Sequence, residues 1–200
     1  MCHANIDYQD NGRVGFVCET EKENREKEKK DPMEEFIDIY DKDQNRLGLT
    51  VSREGAFMKE GQFMLYVLAI VQDKQGRFLI TRRSLDKHWA AGWWEVSGGG
   101  VRSGETSAQA VIREVGEEVG LAVPDENPLP IYTYENVDLE RGDNYIVNMY
   151  RFTIDFTLDD VVLQEEEAVD CRLATWDEIS KLNEQGIFLH YGRVKTALGA

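Results

Sequence analysis

The segment from Gly99 to Leu121 constrains this chain more than any other stretch of its 200 residues. Its apolar positions Ala108, Val111, Ile112, Val115 and Val119 fall within one arc at about 100° per residue, which predicts a helix with a single core face. Thr106 and Gln109 have the spacing of a capping box, and Gly120 before Leu121 reads as the stop. A helix of this kind must lie on another layer, so the stretch predicts loop, helix and stop in a layered fold. Glu114, Glu117 and Glu118 stand at i, i+3 and i+4 and share the other face, which the periodicity directs outward. Two of them precede the helix stop, where the negative end of the macrodipole opposes them. Three like charges within a turn call for a cation among them. A hard divalent ion with oxygen ligands suits them, and Mg²⁺ bound this way shares its coordination sphere with substrate phosphates. A solvated acidic helix face is the other reading of the same residues.

The spacing decides between the two. Gly99, Glu105, Arg113, Glu114, an apolar residue, Glu117, Glu118, Gly120 and an apolar residue form the complete Nudix box at residues 99–121. Chance coincidence of these positions is on the order of once in a million chains. The chain therefore resembles the Nudix hydrolases. The resemblance implies an α/β fold, the α/β/α sandwich around a mixed β-sheet, and cleavage of a nucleoside diphosphate linked to another moiety (or of a nucleotide) by metal-activated water. It implies Glu114, Glu117 and Glu118 as metal ligands with the Gly98 carbonyl added, Mg²⁺ as cofactor with Mn²⁺ as the alternative ion, and Glu105 paired with Arg113 as a brace for the loop. Glu114 thus counts among the catalytic residues together with Glu105 and Arg113. The family commonly takes its general base from the loop that here reads Gln164, Glu165, Glu166, Glu167, and Glu167 is the choice, with Glu166 beside it. Arg82 or Arg83 is expected to hold a distal phosphate; neighbours on a strand point opposite ways, so only one can do so, and Arg82 is taken as the substrate-binding residue.

The resemblance reaches over most of residues 34–190. Asp38 to Asp41, Gly48, Arg53, Gly61, Arg82 to Ser84 and Gly92 to Glu95 are similar to the branch that contains isopentenyl diphosphate isomerase. Two departures stand out. Ser97 occupies a position where many Nudix hydrolases carry proline, and no cysteine lies between Cys18 and Cys171, although the isomerases need one there. An isomerase-like enzyme and a non-catalytic ligand-sensing domain are the alternatives to hydrolysis. The marks the family uses for ADP-ribose and for dinucleoside polyphosphates are absent from residues 136–139. Trp93 and Trp94 are possible base platforms but fit a core equally, and His88 reads as surface.

Charge narrows the partners. The net charge is -15, and residues 131–190 hold fourteen acids against four bases, which contributes -10 of it. A nucleic-acid polymer is therefore excluded as partner, and an anionic small molecule with a phosphoanhydride bond has to be held by metal and a few placed cations. No apolar run is long enough to span a membrane and no signal peptide is evident. Three cysteines without paired spacing suggest a reducing compartment, so the chain reads as cytoplasmic, with a homodimer as a possible assembly. Residues 1–32, with five acids and five bases between Glu19 and Lys30, are expected to form a flexible appendage; a hairpin from Ile6 to Val17 about Asn11 and Gly12 is the competing view. Residues 33–200 are expected to form the Nudix domain. Within it, strands are predicted at residues 36–40, 65–71, 77–81, 131–137, 145–156 and 169–173, and a second helix opens at Thr175 and stops near Gly186.

Overall fold

The computed structural model describes residues 34–199; the expectations for residues 1–32 lie outside them. Strand β1 (Phe36–Tyr40) and β2 (Arg46–Ser52) form an antiparallel pair joined by the turn that Asp41 organises, its carboxylate accepting the N–H groups of Asp43 and Asn45 at 2.9 Å. Strand β3 (Met64–Gln72) is the centre of a separate seven-stranded sheet. Buried along almost its whole length, β3 faces a core on each side, as a continuous apolar run requires.

The tight turn after β3 is built on Asp73. Its carboxylate accepts the N–H groups of Gln75 and Arg77 and pairs with the Arg77 guanidinium at 2.6 Å, while Gly76 takes a left-handed φ of 78°. The two arms then part company. Strand β4 (Phe78–Arg83) meets β3 only where Phe78 faces Gln72, and pairs instead with β5 (Trp94–Glu95) and β9 (Ala168–Ala174). This leaves the flanks of β3 to β6 (Ser97–Gly100), which is antiparallel, and to β8 (Tyr145–Thr153), which is parallel. Strand β7 (Tyr132–Asn136) closes the far edge against β8, so the sheet is mixed.

Alternation along β3 distributes its side chains between two cores. Leu65, Val67, Ala69 and Val71 pack with Ala110, Val111, Val115 and Val119 of helix α1 (Ser107–Val119). Leu68 and Ile70 pack on the opposite side with Ile179 and Leu182 of α2 (Trp176–Glu184) and Val194 of α3 (Tyr191–Leu198). The result is the α/β/α sandwich. Val111, Val115 and Val119 have no exposed surface, and each contributes about 1.5–3 kcal/mol by leaving water. Both predicted capping boxes are present, Thr106 with Gln109 and Thr175 with Glu178, and Gly120 ends α1 in the left-handed conformation. Helix α3 was not expected from the sequence. No helix among the described residues is long and apolar enough to cross a membrane.

Candidate active site

The site is built where α1 lies against the glycine strand. Backbone pairing sets Gly98 opposite Leu68 and Gly99 opposite Val67, and α1 packs over the strand. A Cβ on Gly99 would stand 2.3 Å from Oε1 of Glu114, so only glycine lets that carboxylate settle onto the backbone. The next turn does the same with a donor. The Gly98 N–H reaches Oε2 of Glu118 at 3.1 Å, and the Gln164 N–H reaches the Glu118 carbonyl at 3.2 Å, which ties the 164–167 loop to the end of the helix.

Arginines thread the carboxylates. Arg113 grips Glu105 with a fork, Nε to Oε1 at 2.8 Å and Nη2 to Oε2 at 2.9 Å, and the same guanidinium reaches Glu114 at 2.7 Å, Glu117 at 3.1 Å and the Gly100 carbonyl at 3.0 Å. Arg102 forks onto Glu117 at 3.1 and 3.2 Å and gives Nε to Glu35 at 3.0 Å. The helix face is thus not directed to solvent as its periodicity suggests. Glu114 is 9% exposed, and of the three only Glu117 is an exposed residue. The cause is the glycine strand, which packs where a lone helix would meet water.

Among the described residues no arginine pairs with Glu118. Burial, with the charges of Glu114, Glu95 and Glu167 around it, pushes its carboxyl well above the usual range. Burial also raises Glu114 and Glu95, against the pull of Arg113 and Arg83 respectively. Glu95 comes from β5 and is held by Arg83 at 2.9 Å; Glu167 comes from the loop before β9 and is held by Lys87 at 2.5 Å. Glu118 thus feels three other carboxylate charges, from α1, β5 and the loop before β9. The donors are all oxygen, and Glu118, buried beside other carboxylates, has no cationic side chain paired to it among the described residues, which fits a hard divalent cation. Among the described residues no three acidic, histidine or cysteine side chains already converge as a ligand set, because Glu114 and Glu117 are turned onto arginines.

A cavity of about 550 Å³ opens beside Gly98 and Gly99. Its walls include Arg53, Arg83, Glu95 and the rings of Tyr66, Tyr134 and Tyr145. Tyr66 and Tyr145 meet edge to face at 5.7 Å, and Arg53 stands over the Tyr66 ring. Burial pushes the Tyr134 hydroxyl up to about 12. Gly98 and Gly99 belong both to the cavity wall and to the strand on which Glu118 and Glu114 rest; the α1 carboxylates themselves are not among the cavity residues.

Comparison with known proteins agrees with that geometry. The NUDIX domain family matches residues 62–191. This chain belongs to the Nudix family. It is 32% identical over 161 residues to an uncharacterized Nudix hydrolase of Listeria monocytogenes, covering 80% of this chain and 90% of that protein. It is 38% identical over 117 residues to an isopentenyl-diphosphate Delta-isomerase of Corynebacterium diphtheriae, covering 56% of this chain and 62% of that protein. The crystal structure of DR0079 from Deinococcus radiodurans superposes with a TM-score of 0.59 at 22% identity, over 75% of this chain and 90% of that one, and so shares the fold. As a Nudix hydrolase the chain acts on phosphoric anhydride bonds.

Within the Nudix site, residues the sequence singled out separate into those brought together and those left aside. Arg113 joins Glu105, Glu114 and Glu117 in one hydrogen-bonded cluster, Glu118 is tied to the Gly98 N–H, and the Glu167 charge acts on Glu118. Arg82 is left aside: its Nε donates to the Gly92 carbonyl, and Arg83 is the one that lines the cavity, by strand alternation. Trp94 is core, with Arg172 over its ring, Trp93 is not among the cavity residues, and His88 is exposed. Sequence reasoning missed Glu35, Glu95 and Arg102, and missed the tyrosines as cavity walls. Tyr66 alternates with the core residues of β3 and was legible in principle, and Arg102 lies within the box itself, but its partners Glu35 and Glu117 are distant in sequence; Glu35, Tyr134 and Tyr145 arrive from distant segments without a local signal.

Proposed function

We propose that this chain is a Mg²⁺-dependent pyrophosphohydrolase that cleaves a nucleoside diphosphate linked to a further group, with Mn²⁺ as an alternative ion and residues 33–200 as the hydrolase domain. The observation that carries this reading is the seating of Glu114 and Glu118 against Gly99 and Gly98 at the edge of a cavity holding Arg53 and Arg83. Glu114, Glu117, Glu118 and the Gly98 carbonyl would hold the cation. The ion, when bound, supplies charge neutralisation on the phosphate oxygens and a more acidic water. Glu167, oriented by Lys87, takes the proton of the attacking water. Arg83 and Arg53 hold phosphate oxygens, a task for planar guanidinium forks. Glu105 and Arg113 keep the glycine loop against α1, so that the carboxylates hold their places while charge develops. Tyr66, Tyr134 and Tyr145 offer faces for a nucleobase.

An isomerase reading draws on the similarity to isopentenyl-diphosphate isomerases. Against it, Cys171 lies on β9 opposite Thr81 and packs against the α1-side core, with its thiol pushed up by burial and Asp170. It is not among the cavity residues. A phosphate-release screen over nucleotide-sugars, ADP-ribose, dinucleoside polyphosphates and nucleoside triphosphates, with and without Mg²⁺, tests the proposal. Mg²⁺-dependent turnover of a nucleotide is the expected result. Isomerisation of isopentenyl diphosphate with no nucleotide turned over would refute it.

A further inference from the structure

Glu117 differs from the other carboxylates on its helix face. It is the most open of the three, its side chain 42% exposed, and it takes hydrogen bonds from two arginines. The two are not equivalent. Arg113 spends most of its donors on Glu105, Glu114 and the Gly100 carbonyl, and its side chain is only 15% exposed. Arg102 sits on the loop outside α1, 44% exposed, and lays both Nη atoms along both oxygens of Glu117. Those two oxygens are the ones a cation would need.

We infer that Arg102 is a built-in competitor for the divalent cation at Glu117 and sets the affinity of the site. The inference rests on the reading of Glu117 as a cation ligand. A guanidinium fork and a small divalent ion cannot share one carboxylate edge, so binding the ion means displacing the fork. The structure supplies a place for Arg102 to stay. Its Nε is held by Glu35 at 3.0 Å, and the other oxygen of Glu35 is held by Arg53 at 2.5 Å. Arg102 can therefore release Glu117 without becoming an unpaired charge. Glu35, shared between two arginines, is the anchor that makes the exchange reversible. Loss of Arg102 removes the competitor, whereas loss of the Glu35 charge leaves Arg102 leaning on Glu117 alone. The two changes must move cation affinity in opposite directions.

The test is Mn²⁺ binding to the full chain without substrate, followed by the electron paramagnetic resonance signal of free Mn²⁺. An exposed bidentate pair is worth enough to give Arg102→Gln about two- to fivefold tighter binding, with Glu35→Gln weaker than the wild type. Arg102→Lys, which keeps the charge without the fork, is expected between Arg102→Gln and the wild type, and it carries the test if Arg102→Gln fails to fold. A gain of affinity cannot come from misfolding. Unchanged or weaker binding by Arg102→Gln, with the wild type binding normally, overturns the inference and leaves the hydrolase reading standing. Absence of Mn²⁺ binding by every variant and the wild type overturns both.

Discussion

Substituting alanine at the two central glycines separates the site from the fold. At Gly99 the new methyl would lie 2.3 Å from Oε1 of Glu114 and 2.8 Å from Oε2, and ordinary contact begins near 3.4 Å, so the carboxylate must retreat by roughly 1 Å. It can, because it is the end of a side chain; but the move breaks its seat on the strand and strains its bond to Arg113. A displacement of about 1 Å at a reacting centre costs about 10²-fold in rate, or about 2.7 kcal/mol of transition-state stabilisation. The fold should lose about 1 kcal/mol, the low end for overpacking. Gly98 is a different case. There the methyl would meet the Val67 carbonyl at 2.3 Å and Leu68 Cδ2 at 2.6 Å, on the central strand, where backbone cannot give way. Gly98→Ala should cost about 3 kcal/mol or more, lowering the thermal midpoint by roughly 10 °C. Steady-state kinetics at saturating Mg²⁺ and thermal unfolding measured on both variants distinguish the effects. Gly99→Ala with full turnover, or with a midpoint as low as that of Gly98→Ala, would refute the reasoning.

Three further outcomes are expected. Glu105→Gln and Arg113→Ala should be strongly non-additive in a double-mutant cycle on kcat/KM, with Arg113→Ala alone the worse because it also frees Glu114, Glu117 and Gly100; additive losses would mean that the brace does not exist. Glu118 keeps its proton to higher pH when folded than when unfolded, so without metal the folded chain binds more protons and stability falls as pH rises from the ordinary carboxylate range through the raised one. Mg²⁺ should cancel that loss, and its gain in thermal midpoint should be larger at about pH 8 than at about pH 5; an equal gain at both argues against Glu118 as a ligand. Glu167→Gln should lower kcat by about 10²-fold with KM little changed, and a kcat within a few-fold of the wild type would point to another base.

What could be read from the sequence was what is local. Thr106 with Gln109, Thr175 with Glu178 and the Asp73 turn each complete their hydrogen bonds within a few residues, so spacing alone reveals them. The arc of α1 was legible for the same reason, but Ala110 and Glu114 join its buried set because a second element covers the far side. Strand β6 is not among the predicted strands, since its glycines carry no side-chain pattern; it is a strand because β3 presents a ladder to it. Helix α3 follows His190, which sits at a left-handed φ of 57° without a side-chain cap, so no start signal precedes it. Arg83 rather than Arg82 faces the cavity because alternation fixes that only two sides exist, not which one is inward. Glu35 meets the box through a tertiary contact alone, and Arg102, although within the box, finds Glu117 only once the loop folds back on α1.

The carboxylates that rest on Gly98 and Gly99 are expected to hold a divalent cation. Anomalous diffraction from a crystal soaked in Mn²⁺ tests it directly. A peak is expected beside Glu114, Glu118 and the Gly98 carbonyl, with Glu117 released from Arg102. A peak away from the face of α1, in a crystal form whose protein hydrolyses nucleotide with Mn²⁺, would contradict it.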